Sequence, residues 1–355
     1  MKNLIVPMAG KSSRFPDMRP KWMLTHPATN RFMVHESISG LNLNFFDKIY
    51  FVCLKEHEEK YKFLKGFEDE LKDMKLAYPK SEVILLDEQT SSQPETVALA
   101  IKKRNISGFI LIKDSDNYFE YKFDSTNNQV CFFDLNNIDH INARTKSYIH
   151  LDTNNIINNI VEKKVISSTF CVGGYGFESA LHFLKYYKEV KKLEGEAYIS
   201  HIIYEMMLDS KAFRGVETKS FVDWGTLEDW NKYKSDFKVL FMDLDGTLVE
   251  NSSIHFPPLI GTGAPLSKNI EYLKKQYSSG KIKVIITTSR PESYKDITIE
   301  ELNKHGIPYD QLIMGLPHCQ RVLVNDFSKS NPYPSCDGIN VPRNSDNLQE
   351  YFESK

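Results

Sequence analysis

The sequence predicts an α/β protein built from two successive doubly wound sheets. Three observations carry that expectation. Short apolar runs rich in β-branched and aromatic residues alternate with helix-length amphipathic stretches, the spacing of a mostly parallel sheet whose crossovers are helices. Several of the runs end in Gly, Asp or Thr, and in such sheets ligands bind at the carboxyl ends of strands. The pattern then restarts near residue 236 with a second apolar strand that ends in aspartate, Val239-Leu-Phe-Met-Asp243. A chain of 355 residues is long enough for two such cores, and the reading divides it into domains 1–235 and 236–355.

Taken in order, Leu4–Met8 is a short apolar strand that breaks at Ala9-Gly10 and passes through Lys-Ser-Ser to Arg14 and then Lys21. A strand opening into a Gly/Ser turn presents bare N–H groups, and with two cations it can cradle phosphate; an ordinary strand-to-helix turn fits the spacing equally well. Phe32–Leu43 reads as a helix, Lys48–Leu54 as a strand, and Glu56–Met74 as one amphipathic helix with Tyr61, Phe63, Leu64, Phe67 and Leu71 inward. Glu82–Leu86 is a third strand. Pro94 opens a helix with Glu95 and Thr96 in its first turn, and Phe109–Ile112 is a strand ending in Asp114-Ser-Asp116.

The middle of the chain is less regular, with strands expected at Gln129–Phe133, Ser147–Leu151 and Ile156–Val161. The small-residue segment from Cys171 to Phe177 leads to a helix over Ser179–Tyr187, and another helix starts near Tyr198. A short strand ends at Asp223, with Thr226 as a helix cap. Beyond residue 236, strands are expected at Val239–Asp243, from Ile282, and at Arg321–Asp326, with helices near Ser267–Ser278 and Pro291–His305 between them.

Composition narrows the classes. A formal charge of -2 gives no basic field for nucleic acid. The five cysteines, Cys53, Cys131, Cys171, Cys319 and Cys336, are widely spaced with no CxxC pair, which fits a reducing compartment better than a disulfide framework. No secretory leader is legible at the N-terminus and no run approaches a membrane span. The expectation is a cytoplasmic enzyme without nucleic-acid or membrane partners; a homo-oligomer is compatible with it.

The motifs Ala9-Gly10-Lys-Ser-Ser-Arg14, Pro20-Lys21, Asp116 and Asp223-Trp-Gly-Thr226 resemble those of the sugar-phosphate nucleotidyltransferases (nucleotide-sugar pyrophosphorylases). The resemblance implies a GT-A-like nucleotidyltransferase sheet that joins a nucleoside triphosphate to a sugar or polyol phosphate. It implies that Ala9, Gly10, Ser12 and Ser13 line the triphosphate, with Arg14 and Lys21 neutralising charge and Asp116 and Asp223 holding Mg²⁺. Gln93, Glu95 and Thr96 fall where the family contacts the base, Glu162-Lys163 resembles its sugar-phosphate pair, and Glu196 resembles a sugar-hydroxyl ligand. Ser12 stands where the family usually has Gly. In-line attack on an α-phosphorus needs positioned groups and neutralised charge more than covalent help, and a hard oxygen-seeking cation suits two carboxylates. Asp114-Ser-Asp116 also resembles the Asp-x-Asp of GT-A glycosyltransferases; the opening loop and Lys21 weigh against that alternative.

Asp243-Leu-Asp245-Gly-Thr-Leu resembles the first motif of the haloacid dehalogenase (HAD) phosphohydrolases, implying a small HAD-like Rossmannoid domain. The region Leu248–Pro265 leaves it little or no cap. Asp243 would be the nucleophile and Asp245 the acid and base, with Thr288 binding a phosphoryl oxygen and Asp326 completing an Mg²⁺ site with Asp243 and Asp245. The third-motif lysine is replaced, Gly315-Leu316-Pro317 standing where Gly-Lys-Pro is common; Arg321 is the nearest cation, with Lys295 and Lys329 as others. The whole reads as a bifunctional enzyme making an activated building block for capsule or other surface polysaccharide. The alternatives are a transferase with a degenerate second domain and a non-catalytic binding protein.

Overall fold

The computed structural model describes all residues except 11, 13, 17, 77–78, 139–141, 193–194, 252–258, 327–334 and 354–355. The chain divides into two compact units, Met1–Trp230 and Asn231–Lys355. No helix among the described residues is long and apolar enough to cross a membrane.

The first unit begins with β1 (Lys2–Pro7), α1 (Met33–Ser39), β2 (Lys48–Leu54), α2 (Lys55–Tyr61), α3 (Leu64–Asp73), β3 (Ser81–Leu86), α4 (Gln93–Arg104) and β4 (Phe109–Lys113). It continues with β5 (Asn117–Glu120), β6 (Gln129–Asp134), β7 (Ser147–Leu151), β8 (Ile157–Glu162), β9 (Thr169–Phe177), α5 (Ala180–Val190), α6 (Ile199–Leu208), β10 (Arg214–Glu217) and β11 (Lys219–Asp223), and the division falls within α7 (Leu227–Ser235). Nine strands form one sheet with the order β10-β6-β9-β4-β1-β2-β3, to which β7 and β8 attach through β9. Its β4-β1-β2-β3 half is parallel. Beyond β4 the sheet is mixed, because β9 runs antiparallel to both β4 and β6.

Alternation along β1 divides the core between the two faces. Ile5 joins Val97 and Ile101 of α4 and Phe183 of α5 on one side, whereas Leu4 and Val6 join Ile38 of α1 and Phe67 of α3 on the other. Burial on both faces is why these strands read as continuous apolar runs.

Two local expectations are corrected here. The helix expected over 56–74 is two helices, since Lys62 takes a left-handed conformation (φ 50°) and Glu58 Oε2 caps the Leu64 N–H at 2.9 Å. The break turns Phe63 and Phe67 onto the buried Trp22, with ring centroids 4.9 and 5.9 Å away. The small-residue segment Cys171–Phe177, read only as leading into the next helix, lies within β9, nine residues long. A side chain on Gly173, at φ +76°, would come within 2.2 Å of Asp114 Oδ2, so glycine is what lets β9 pass beside the β4 terminus.

The second unit carries β12 (Lys238–Asp243), α8 (Ser267–Ser278), β13 (Ile282–Thr287), α9 (Lys295–His305), β14 (Gln311–Ile313) and α10 (Leu348–Glu353). Its sheet is parallel with the order β12-β13-β14, over a core including Leu244, Ile270, Val284 and Leu302. The strand expected at Arg321–Asp326 is absent. The segment has no strand pairing and leaves Val322 72% and Val324 92% exposed; an apolar run becomes a strand only when a neighbouring edge takes its hydrogen bonds.

Candidate active site

The opening loop is anchored at both ends. The Met8 N–H continues the β1–β2 ladder onto Val52 O (2.7 Å). Ser12 sits in the left-handed region at φ 47°, which accounts for the usual preference for glycine there, and its Oγ accepts the Lys21 N–H at 3.2 Å. Ala9 is buried and Gly10 exposed; Ser13 lies outside the described residues. Lys21 opens a 3₁₀ turn whose next two residues, Trp22 and Met23, are buried. The lysine backbone is therefore fixed, and its ammonium pairs with Asp116.

Strand pairing assembles the carboxylates. β5 and β11 run antiparallel with Asn117 opposite Asp223, and the Trp224 N–H donates to Asp116 O at 2.9 Å. A methyl group on Gly225 would lie 3.0 Å from Asp223 Oδ1, 3.5 Å from Asp116 Oδ2 and 3.8 Å from Arg14 Nη1. Arg14, Lys21, Asp116 and Asp223 thus converge on one small volume. Burial raises the Asp116 pKa, but Lys21, then Arg14 and Lys146, outweigh it and hold the carboxyl well below the usual carboxylate range.

Sequence reasoning missed Lys146 and Lys113, and named Asp114 only as part of the Asp-x-Asp of the glycosyltransferase alternative. Lys146, just before β7, places Nζ 2.5 Å from Asp223 Oδ2, both side chains being 15% exposed; nothing in its local sequence marks it. Asp114 accepts from Gln93 Nε2, and burial, reinforced by the neighbouring Asp116 charge, raises its pKa to about 6. Lys113 is fully buried and donates to Asp114 O, Asn117 O and Asn117 Oδ1 at 2.8, 2.9 and 2.6 Å, tying the 114–117 turn from beneath. Its burial lowers its pKa to about 8. The two aspartates of the Asp-x-Asp thus have different surroundings, Asp114 facing Gln93 and Asp116 facing Lys21.

Glu162, Lys163 and Glu196 gather on the β8–α6 side. Glu162 accepts from the hydroxyls of Ser147 and Ser200, joining β7 to α6. Lys163, left-handed at φ 56°, donates to Tyr198 OH at 2.5 Å, and the same hydroxyl donates to Glu196. Tyr198, a further residue the sequence reading passed over, links the two.

At the start of α4, Thr96 is buried and its hydroxyl bonds that of Thr90 at 2.7 Å. Glu95 Oε2 accepts both the N–H and hydroxyl of Ser91 at 2.7 Å, while the N-cap Ser92 Oγ takes the Glu95 N–H at 3.4 Å. These bonds lower the Glu95 pKa to about 2, so the stabilisation is present above the unfolded pKa near ~4.3 and is lost as pH falls through the folded value. Glu95→Gln is expected to cost about 1 kcal/mol near neutral pH, narrowing as pH drops below about 4; urea unfolding across pH measures it.

In the second unit, Asp243 ends β12 and Thr288 follows β13. Arg321 Nη1 lies 2.7 Å from Asp243 Oδ1. Asp245 accepts from Thr288 Oγ1 at 3.1 Å and from Arg290 Nε and Nη2 at 3.0 and 2.7 Å. Arg290 continues to the buried Glu301 (Nη1 to Oε2, 2.6 Å), and the pull of both carboxylates outweighs burial and raises its pKa. The Leu316 N–H donates to Thr288 O at 3.2 Å, so the Gly-Leu-Pro segment runs beside Thr288 and presents leucine there. Lys329 and residues 252–258 lie outside the described residues.

The two proposed metal sites fare differently. Asp116 and Asp223 offer hard oxygens on one volume lined by Gly225, a donor set suited to Mg²⁺, which takes one or two carboxylates plus substrate phosphates. The three-carboxylate set of the second unit does not assemble. Among the described residues no three His, Cys, Asp or Glu side chains come together; Asp243 and Asp245 are each paired with arginine, and Asp326 lies in the exposed segment, bonded locally to Asn325 and Ser335.

No family model matches the sequence, and no curated protein matches it. Solved structures do. The nucleoside-diphosphate-sugar pyrophosphorylase from Vibrio cholerae RC9 superposes with a TM-score of 0.55 at 19% identity, over 65% of this chain and 99% of that one. The inositol-1-phosphate CTP transferase from T. maritima gives 0.50 at 12% identity, over 66% and 94%. A UDP-glucose pyrophosphorylase complexed with UDP-glucose gives 0.51 at 12% identity, over 66% and 97%. About two-thirds of this chain therefore shares the fold of these nucleotidyltransferases.

Proposed function

We propose that the Met1–Trp230 unit transfers a nucleotidyl group from a nucleoside triphosphate to a sugar or polyol phosphate, releasing pyrophosphate. The observation that carries this reading is the convergence of Arg14, Lys21, Asp116 and Asp223 around Gly225 at the carboxyl ends of β1 and β4. The opening loop and Arg14 would hold the triphosphate, and Lys21 would neutralise charge growing at the α-phosphate. Lys163, set by Tyr198 and Glu196, would bind the acceptor phosphate, so that an acceptor oxygen attacks the α-phosphorus as the bond to pyrophosphate breaks. Bound to Asp116 and Asp223, Mg²⁺ would supply Lewis-acid neutralisation of phosphate charge. A panel of triphosphates crossed with sugar 1-phosphates and Mg²⁺ should give pyrophosphate with at least one pair. Transfer unchanged in Lys21→Ala overturns the assignment.

For the second unit we propose a phosphomonoesterase acting on a related precursor, the two steps leading to a surface-polysaccharide building block. Arg321 on Asp243 favours this, since it supplies the cation that Leu316 cannot. Asp243 Oδ would attack phosphorus as the phosphorus–ester oxygen bond breaks and the leaving oxygen takes a proton from Asp245; water, giving a proton back to Asp245, would then cleave the phosphoaspartate and release phosphate. Any substrate oxygen must contend with Arg290 for Asp245. Phosphate release that persists in Asp243→Asn sinks this second reading.

A further inference from the structure

The carboxylate pair of the first unit meets one more cation than its motifs account for. Lys146 Nζ is 2.5 Å from Asp223 Oδ2 and 5.5 Å from the Phe221 ring centroid. The other carboxylate oxygen, Oδ1, accepts the Gly225 N–H at 3.1 Å and faces the volume shared with Asp116 and Arg14. Lys146 is also tied to the acceptor side of the site. Its carbonyl accepts the Lys163 N–H at 3.0 Å, so the two lysines stand opposite each other at one end of the β7–β8 ladder, where Ser147 pairs with Glu162.

A fastening role for this pair would add little, because β11 is already held by β5 and by the bond from Trp224 N–H to Asp116 O. A second cation on the same oxygen of Asp223 meets repulsion from the first, which a few ångströms apart in a half-buried setting amounts to several kcal/mol. A lysine suits exchange, being a point charge on a flexible four-carbon stem with no fixed fork geometry.

We propose that Lys146 is an exchangeable counter-ion of Asp223 and a second phosphate-binding lysine of the acceptor subsite: its ammonium contends with a divalent cation for Asp223 and, when displaced, meets the acceptor phosphate beside Lys163. The proposal rests on the nucleotidyl-transfer reading of Asp223 and goes beyond it, since that reading assigns Lys146 nothing. It also makes metal and acceptor binding mutually supportive, because each favours the arrangement the other needs.

The test uses the full chain and Mn²⁺ alone, with free Mn²⁺ followed by its EPR signal. Lys146→Met should tighten Mn²⁺ binding about 5-fold or more, and Lys146→Gln should behave alike. Lys163→Met removes a neighbouring charge that is not on Asp223 and should change Mn²⁺ affinity less than about 2-fold. Inorganic phosphate, titrated by calorimetry, should bind wild type more tightly once Mn²⁺ is added, a gain that Lys146→Met loses. If both Lys146 variants bind Mn²⁺ like wild type, or Lys163→Met tightens it equally, the exchange is refuted and the metal role of Asp223 stands. If Asp223→Asn binds Mn²⁺ as tightly as wild type, both fall together.

Discussion

Asp223→Asn is expected to lower the rate of pyrophosphate release by about 100-fold or more while costing at most about 1 kcal/mol of stability. The carboxylate ends β11 with one oxygen on the Gly225 N–H and the other on Lys146. An asparagine can keep the first bond, but its amide then turns toward an ammonium and offers no negative charge to a metal or to the phosphate-facing cations. The structural loss is small because the Lys146 and Asp223 side chains are 15% exposed and the lysine can swing into water. The neighbouring Asp116→Asn differs in kind. Asp116 is buried against Lys21, with Arg14 and Lys146 adding to its field, so its loss strands cations and lowers stability as well as turnover. Measuring kcat beside the unfolding midpoint for both variants separates chemistry from folding. If Asp223→Asn retained wild-type turnover, the carboxylate pair would lose its place in the reaction.

What the sequence made legible followed from local signals. Apolar runs bounded by Gly, Asp and Thr located β1, β2, β4 and β12, and their polar ends set Asp116 after β4 and Asp223 at the end of β11, while Arg14 and Lys21 lie in the loop and 3₁₀ turn beyond β1. Three misses have a common cause, namely that the deciding interaction is distant in sequence. β9 was hidden because glycines weaken a strand signal, whereas Gly173 is what permits close passage beside Asp114. Lys146 has no motif of its own and acquires meaning only when β7 is laid beside β8 and its ammonium reaches Asp223 at the end of β11. The break at Lys62 is made by Glu58 capping Leu64 and by aromatic packing on Trp22, which a helical period cannot report. Arg321–Asp326 failed in the opposite direction: its apolar run ending in polar groups suited a strand, and among the described residues no edge takes its hydrogen bonds. Arg290, two residues past Thr288 and given no role from the sequence, proved to be the hub of the second unit.

That hub leads to the other large effect expected. Arg290→Met should destabilise the Asn231–Lys355 unit by about 3–5 kcal/mol. The guanidinium is 4% exposed and faces Glu301, whose side chain is fully buried. Removing it leaves a carboxylate in the core with, among the described residues, the Gly263 N–H 3.0 Å away as its remaining donor. A buried charge without its partner is far more costly than a pair never formed, so Glu301→Leu in the same chain should recover much of the loss. Arg290→Lys should recover little, because the fork bonds Asp245 through Nε and Nη2 and Glu301 through Nη1 at once, and one ammonium cannot span both. The two units have separate cores, so denaturant titration should show a transition that moves in Arg290→Met and one that does not. Since Asp245 is 31% exposed, Asp245→Asn should shift the first transition by far less. Equal shifts would mean that Arg290 serves the aspartate of the first motif more than the core, and the stabilising role assigned through Glu301 would be wrong.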